Sequence, residues 1–204
     1  MPMDVITMID MLGLLAFAFV GAMKAIGEKL DLLGILVLGL VYALGGGIVR
    51  DMLLNRTPNA FSSATDVVVA VLGVIIAAAA YTSMKQDVSS RYYIMIPDAL
   101  GLAAFTVTGA VIAYEAEASL LGLVFLSVVT AVGGGVIGDL LLGRIPSVLR
   151  SDCYATCAII GAVGFGLAVR MSGNLTEISL LCIGVTFSLR LLAIQCRWAL
   201  PKLT

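Results

Sequence analysis

Histidine is absent from the 204 residues, and the four cysteines have no spacing that would make a ligand set without it. Mixed Cys and His zinc sites are thereby excluded, as is acid–base catalysis by imidazole. The expectation is no metal, no cofactor, and buried apolar thiols at Cys153, Cys157, Cys182 and Cys196. Charge is equally scarce: 12% of residues are Asp, Glu, Lys or Arg, against about 25% in a soluble domain. The net charge is −1 and no basic stripe exists, so a nucleic-acid partner is not expected. A phosphate-binding loop and a serine-centred motif are also missing, and nothing in the chain reads as an enzyme.

What the chain has in abundance is apolar length. Hydrophobic residues make up 61% of it, and a helix needs about 20 of them in succession to cross the hydrocarbon of a bilayer. Short alternating strands, the mark of a membrane barrel, do not occur. The fold class is therefore an all-α integral membrane protein with the lipid bilayer as its solvent. Seven apolar runs are present: Ile9 to Met23, Leu32 to Leu54, Val67 to Met84, Ile94 to Tyr114, Ser119 to Leu142, Cys153 to Val169 and Ile178 to Trp198. The connections between them are short and polar, leaving no room for a soluble domain, so residues 1–204 read as a single membrane domain. The first run is not preceded by Lys or Arg but by Asp4, which argues for a retained helix over a cleaved signal peptide.

The chain is duplicated. Residues 45–58 read GGGIVRDMLLNRTP and residues 133–146 read GGGVIGDLLLGRIP, an offset of 88. The same offset aligns Asp10, Gly13, Phe17 and Gly21 with Asp98, Gly101, Phe105 and Gly109. Repeat one covers about 8–84, repeat two about 94–170, and a seventh helix at about 176–198 has no counterpart. Three spans per copy is an odd number, which forces the copies into opposite orientations. Basic residues then divide three against nine: Arg50, Arg56 and Arg170 on the amino-terminal side, and Lys24, Lys29, Lys85, Arg91, Arg144, Arg150, Arg190, Arg197 and Lys202 on the other. The positive-inside rule puts the amino terminus outside and the carboxyl terminus in the cytoplasm.

The glycine triplets, Gly45, Gly46 and Gly47 in span 2 and Gly133, Gly134 and Gly135 in span 5, carry the chemical interest. Each glycine costs a helix about 1 kcal/mol relative to alanine, so the triplets are expected to break spans 2 and 5 at membrane depth. Backbone freed there must line a cavity, where its carbonyls can meet ions or polar solutes. Asp51 and Asp139 follow one turn later, with Arg50 beside the first and Gly138 beside the second, so that Asp139 has no adjacent cation. A plainer reading is that the glycines permit close helix packing and that Asp51 with Arg56, and Asp139 with Arg144, are interfacial ion pairs. Asp10 and Asp98, with Pro97, read as helix caps, and Lys24 as a chain that snorkels to the surface.

The paired motifs, in a chain of this length with seven spans, resemble the bacterial branch of the trimeric intracellular cation (TRIC) channels. That resemblance implies two inverted three-helix repeats plus a seventh helix, a homotrimer in the bacterial inner membrane, and a pore for monovalent cations such as potassium and sodium in each subunit. It further implies that the six triplet glycines, Asp51 and Asp139 line the pathway in spans 2 and 5, with Arg50, Arg56 and Arg144 as gating or ion-pair residues; Gly138 departs from a symmetric arginine pair. The competing expectation is a secondary transporter of a small neutral solute such as glycine, because inverted repeats with interrupted helices also build alternating-access sites. Inversion itself is directly checkable. A reporter fused after Arg91 is expected to read cytoplasmic and one placed between Tyr114 and Ser119 external; the same side for both would refute it.

Overall fold

The computed structural model describes residues 5–83, 92–150, 153–171, 174–196 and 198, the side chains of Tyr92 and Arg150 excepted. Lys85, Arg91, Arg197, Lys202 and the Arg150 side chain, all counted for orientation, lie outside the described residues. The described elements are α1 (Val5–Gly27), α2 (Leu32–Leu53), α3 (Asn59–Ser62), α4 (Ala64–Ser83), α5 (Tyr92–Glu115), α6 (Leu120–Leu141), α7 (Ser147–Arg150), α8 (Tyr154–Arg170) and α9 (Leu175–Gln195). Six of these, α1, α2, α4, α5, α6 and α9, are long and apolar enough to cross a bilayer, and α8 is a shorter apolar helix of 17 residues. The sequence did not anticipate the two four-residue helices α3 and α7, which follow Pro58 and Pro146.

The duplication extends to backbone detail. Asp31 caps α2 by accepting a hydrogen bond from the Gly34 amide at 2.7 Å, and Ser119 caps α6 by accepting one from the Gly122 amide at 3.2 Å. Left-handed backbone recurs at matched places before the helices, Lys29 (φ 58°) with Glu117 (φ 55°), and after them, Asn55 (φ 53°) with Gly143 (φ 66°). The first helices of the two copies, α1 and α5, cross where each offers a glycine to the other's phenylalanine. A Cβ on Gly13 would lie 2.6 Å from the Phe105 ring, and one on Gly101 would lie 2.8 Å from that of Phe17. The two rings themselves sit 5.2 Å apart, tilted by 60°, an arrangement worth about 0.5–1.5 kcal/mol beyond its buried area.

The second helices, α2 and α6, cross at the glycine triplets, and there the expectation of broken helices is corrected. Both helices run without interruption through their triplets. The glycines are needed between helices: a Cβ on Gly46 would overlap the Thr130 carbonyl, and one on Gly134 would overlap the Tyr42 carbonyl. A Cβ on Gly45 or Gly133 would come within 3.1 Å of the facing glycine Cα. Among lipid tails there is little hydrophobic drive between helices, so close backbone packing is what joins them, and glycine's helical cost is offset by that approach. The third glycine of each triplet is different. At Gly47 an added Cβ would meet only the Arg50 guanidinium at 3.7 Å, and at Gly135 only the Tyr42 ring at 3.7 Å.

Matched residues gather at opposite ends of the bundle. Asp10, Asp51 and Asp66 share the end at which α1 begins, here the near end, while Asp98, Asp139 and Tyr154 join Lys24 at the far end. Matched residues at opposite ends are the arrangement that inverted copies produce. Gly46→Ala and Gly134→Ala are each expected to cost about 1–3 kcal/mol by overpacking a rigid backbone contact, whereas Gly47→Ala and Gly135→Ala leave stability near wild type. Thermal unfolding of the purified protein in mild detergent measures this, and equal melting temperatures for all four would contradict the crossing.

Candidate functional site

At the near end lies a cavity of about 350 Å³ that reaches from Asp10 and Asp66 down to Gly47 and Thr130. Arg50 and Asp51 line it although both are only 6% exposed. Asp51 is held on each side. Its Oδ1 accepts from Nε of Arg50 at 2.8 Å and lies 2.8 Å from Nη2, while Oδ2 accepts from the Asn59 amide at 3.1 Å. Asn59 opens α3, and its side-chain amide donates to Asp66 at 2.8 Å. The turn ending at Pro58 therefore folds the chain back so that an aspartate of the spanning helix binds the first amide of the short one.

The far end repeats this with Pro146: Ser147 opens α7 and donates to Oδ2 of Asp139 from its amide at 2.7 Å and its hydroxyl at 2.8 Å. The other oxygen, Oδ1, accepts from the Lys24 ammonium at 2.8 Å and from the Tyr42 hydroxyl. Lys24 also donates to the Tyr42 oxygen at 2.8 Å and to the Ser147 hydroxyl at 3.2 Å, with its Nζ 4.9 Å from the centre of the Tyr42 ring. Lys24, Tyr42, Asp139 and Ser147 thus form one knot. The free space beside it is about 10 Å³, room for about one water. Among the described residues, the space beside Asp51 is open and the space beside Asp139 is filled.

Five expectations are corrected here. Asp139 does have a cation, supplied from α1 by Lys24, whose side chain is 16% exposed and turns inward rather than snorkelling. Arg56 and Arg144 do not pair with the motif aspartates: Arg56 lines the near cavity, and Arg144 pairs with Glu28 at the surface. Asp10 and Asp98 are not caps, because α1 begins at Val5 and α5 at Tyr92, and Pro97 lies inside α5. Asp10 faces the near cavity, and Asp98 accepts from the Tyr154 hydroxyl at 2.9 Å with Arg190 of α9 at 3.8 Å. The expectation of four buried thiols is also corrected: Cys157 and Cys182 are buried, but Cys153 is half-buried and Cys196 exposed; all are free.

Gly138, where an arginine would have matched Arg50, has a steric cause: a Cβ there would overlap the Tyr42 ring. At the same offset the counterpart of Tyr42 is Thr130, so the near end pairs a large Arg50 with a small Thr130 and the far end a large Tyr42 with a small Gly138. The sequence reading missed Tyr42, Asn59, Asp66, Ser147, Tyr154 and Arg190. The register offered a signal for several of them, since Asn59 aligns with Ser147 and Asp66 with Tyr154.

Comparison with known proteins places this geometry among relatives. Residues 7–82 and 95–170 each match the family model described as glycine transporter. The chain is 36% identical over 195 residues to the UPF0126 inner membrane protein YadS of Escherichia coli K12, covering 95% of this chain and 93% of that protein. It is 36% identical over 197 residues to a UPF0126 membrane protein of Vibrio cholerae, covering 95% and 81%. Among solved structures, a TRIC cation channel studied for the structural basis of its conductance superposes with a TM-score of 0.87 at 35% identity, over 97% of each chain. The TRIC trimeric intracellular cation channel orthologue of Rhodobacter sphaeroides superposes with a TM-score of 0.87 at 29% identity, over 96% of this chain and all of that one.

The exchange of Arg50 and Thr130 for Gly138 and Tyr42 makes a measurable claim. Gly138→Ala is expected to cost about 1–3 kcal/mol, and much less in a Tyr42→Ala background, where the ring no longer fills the space. A coupling between the two substitutions below about 0.5 kcal/mol in a double-mutant cycle would show that the ring and the glycine do not compete.

Proposed function

The chain belongs to the bacterial branch of the TRIC family, whose family model is described as glycine transporter, and from that premise we propose that it is a channel for monovalent cations such as potassium and sodium. The observation that carries the reading is the charged near cavity. It holds three carboxylates, Asp10, Asp51 and Asp66, against two guanidinium groups, Arg50 and Arg56, and it ends on the glycine crossing of α2 and α6. A cation entering there exchanges part of its water for carboxylate oxygen in surroundings of low dielectric. The whole chain acts as one membrane domain of seven crossings, with α8 as the sixth. It assembles as a homotrimer in the bacterial inner membrane, its amino terminus outside and each subunit carrying a pore between α2 and α6.

The site residues then take distinct roles. Gly45, Gly46, Gly133 and Gly134 hold the two helices at backbone distance, while Gly47 and Gly135 face the pathway on either side of the crossing. Asp51 attracts cations at the outer end and Arg50 limits that attraction. Asp139 is the corresponding inner group, and Lys24, bound to it and to Tyr42, closes the inner end by putting its positive charge where a cation would leave. Arg56 sits at the outer cavity, and Arg144, paired with Glu28, is an anchor beside the inner exit. The description of the family model favours a second reading, a carrier of a small neutral solute such as glycine, for which a cavity with both signs of charge is also suitable.

Planar bilayers containing the purified protein separate the two. Unitary potassium currents are expected, and Lys24→Met should raise the open probability at least about tenfold, since about 1.4 kcal/mol suffices for that change and a buried pair costs more than that to break. Asp51→Asn and Asp139→Asn should each lower the preference for cations over anions. Silent bilayers together with saturable glycine uptake into vesicles would replace the channel with the carrier.

A further inference from the structure

The unduplicated helix α9 brings one charged side chain into the bundle. Arg190 is 6% exposed and lies at the far end, against Asp98 and Tyr154. Its guanidinium carbon is 4.4 Å from the centre of the Tyr154 ring, and its Nη2 is 3.8 Å from Oδ2 of Asp98, too long for a hydrogen bond. Among the described residues Arg190 Nε is a buried side-chain donor without any hydrogen-bond partner. The Tyr154 ring gives this cation a face to lie on, but its ion pair with Asp98 is loose and its Nε unpaired, so burying it calls for an account beyond packing.

The register supplies one. Asp98 is the counterpart of Asp10 and Tyr154 that of Asp66, so in the first copy these positions are two carboxylates in an open cavity. In the second copy they are a carboxylate bonded to a tyrosine at 2.9 Å, with Arg190 added from outside the repeat. The void of about 10 Å³ at this end is lined by Asp98 and Tyr154 together with Lys24, Tyr42, Asp139 and Ser147. Lys24 therefore has two carboxylates bordering the same small space. It is bonded to Asp139 at 2.8 Å, and Arg190 is the cation beside Asp98.

We infer that Arg190 is a positioning residue for the inner gate: by compensating Asp98 it keeps Lys24 on Asp139, and the gate opens when Lys24 crosses the void to Asp98. Asp139 stays held by the Ser147 amide and hydroxyl as Lys24 departs, and its free oxygen then faces the pathway as a cation site. The loose 3.8 Å pair and the unpartnered Nε give Arg190 the slack to shift when Lys24 arrives. This inference rests on the gate proposed above, and its test needs a readout that does not depend on current.

That readout is labelling of a cysteine at Val136, which borders the void, in a chain whose four native cysteines are replaced by alanine, using a membrane-impermeant thiosulfonate applied from the cytoplasmic side of vesicles. Arg190→Gln frees Asp98 to draw Lys24, so labelling should rise about tenfold, and Arg190→Lys should restore the wild-type rate. Asp98→Asn/Arg190→Gln removes both charges, leaves Lys24 no second carboxylate, and should return labelling to wild type or below. Asp98→Asn alone should likewise keep the gate shut, which covers the case in which Arg190→Gln does not fold. If the double variant labels as fast as Arg190→Gln, α9 acts through packing and the inference fails. Unchanged labelling in Arg190→Gln overturns it equally. Silent bilayers with the expected labelling order would overturn the channel reading and leave this gate standing.

Discussion

Everything in this molecule is built outward from the backbone contact between α2 and α6. Gly46 lies against the Thr130 carbonyl and Gly134 against the Tyr42 carbonyl, with Gly45 and Gly133 filling the crossing at Cα distance. Side chains cannot enter a contact of that kind, and in lipid such packing is what holds spanning helices together. It also sets where the chemistry falls. Asp51 and Asp139 each follow the last glycine of a triplet by four residues, about one helical turn, so the crossing places one carboxylate above itself and one below. The short helices after Pro58 and Pro146 then bind those carboxylates from the ends of the bundle.

Duplication makes the two ends alike in backbone, and a few exchanged side chains make them unequal in space and charge. Tyr42 with Gly138 takes the place of Thr130 with Arg50, and Tyr154 takes the place of Asp66. Among the described residues the consequence is a cavity of about 350 Å³ beside Asp51 and a void of about 10 Å³ beside Asp139. The proposed pathway requires such an asymmetry, because two identical ends would open or close alike. Volume decides the matter: a tyrosine ring occupies the space that an arginine would have needed, and the glycine opposite it is the mark of that exchange.

The two motif carboxylates show two ways of keeping a charge in apolar surroundings. Asp51 is compensated by its neighbour in the chain, Arg50, which makes it a stable local pair. Asp139 is compensated by Lys24, 115 residues away and on another helix. A local pair moves with its helix, whereas a distant one breaks when helices shift, so the second is suited to a gate and the first to a fixed field. The same logic extends to Asp98, whose cation comes from α9, outside the repeat altogether.

The sequence by itself determined the class, six of the spans, the duplication, its register and the positions of the glycines and aspartates. These follow from composition and from patterns along the chain, which need no knowledge of neighbours. It misassigned the helices as broken at the triplets, the caps at Asp10 and Asp98, the direction of Lys24 and the isolation of Asp139. Each of those depends on what faces a residue from another helix. A glycine reads the same in a sequence whether it interrupts its own helix or admits a second one, and a lysine at a helix end reads the same whether water or a buried carboxylate lies beyond it. Tertiary structure alone chose between them, because the cost of burying a charge or a backbone group is fixed by the partner that packing brings to it.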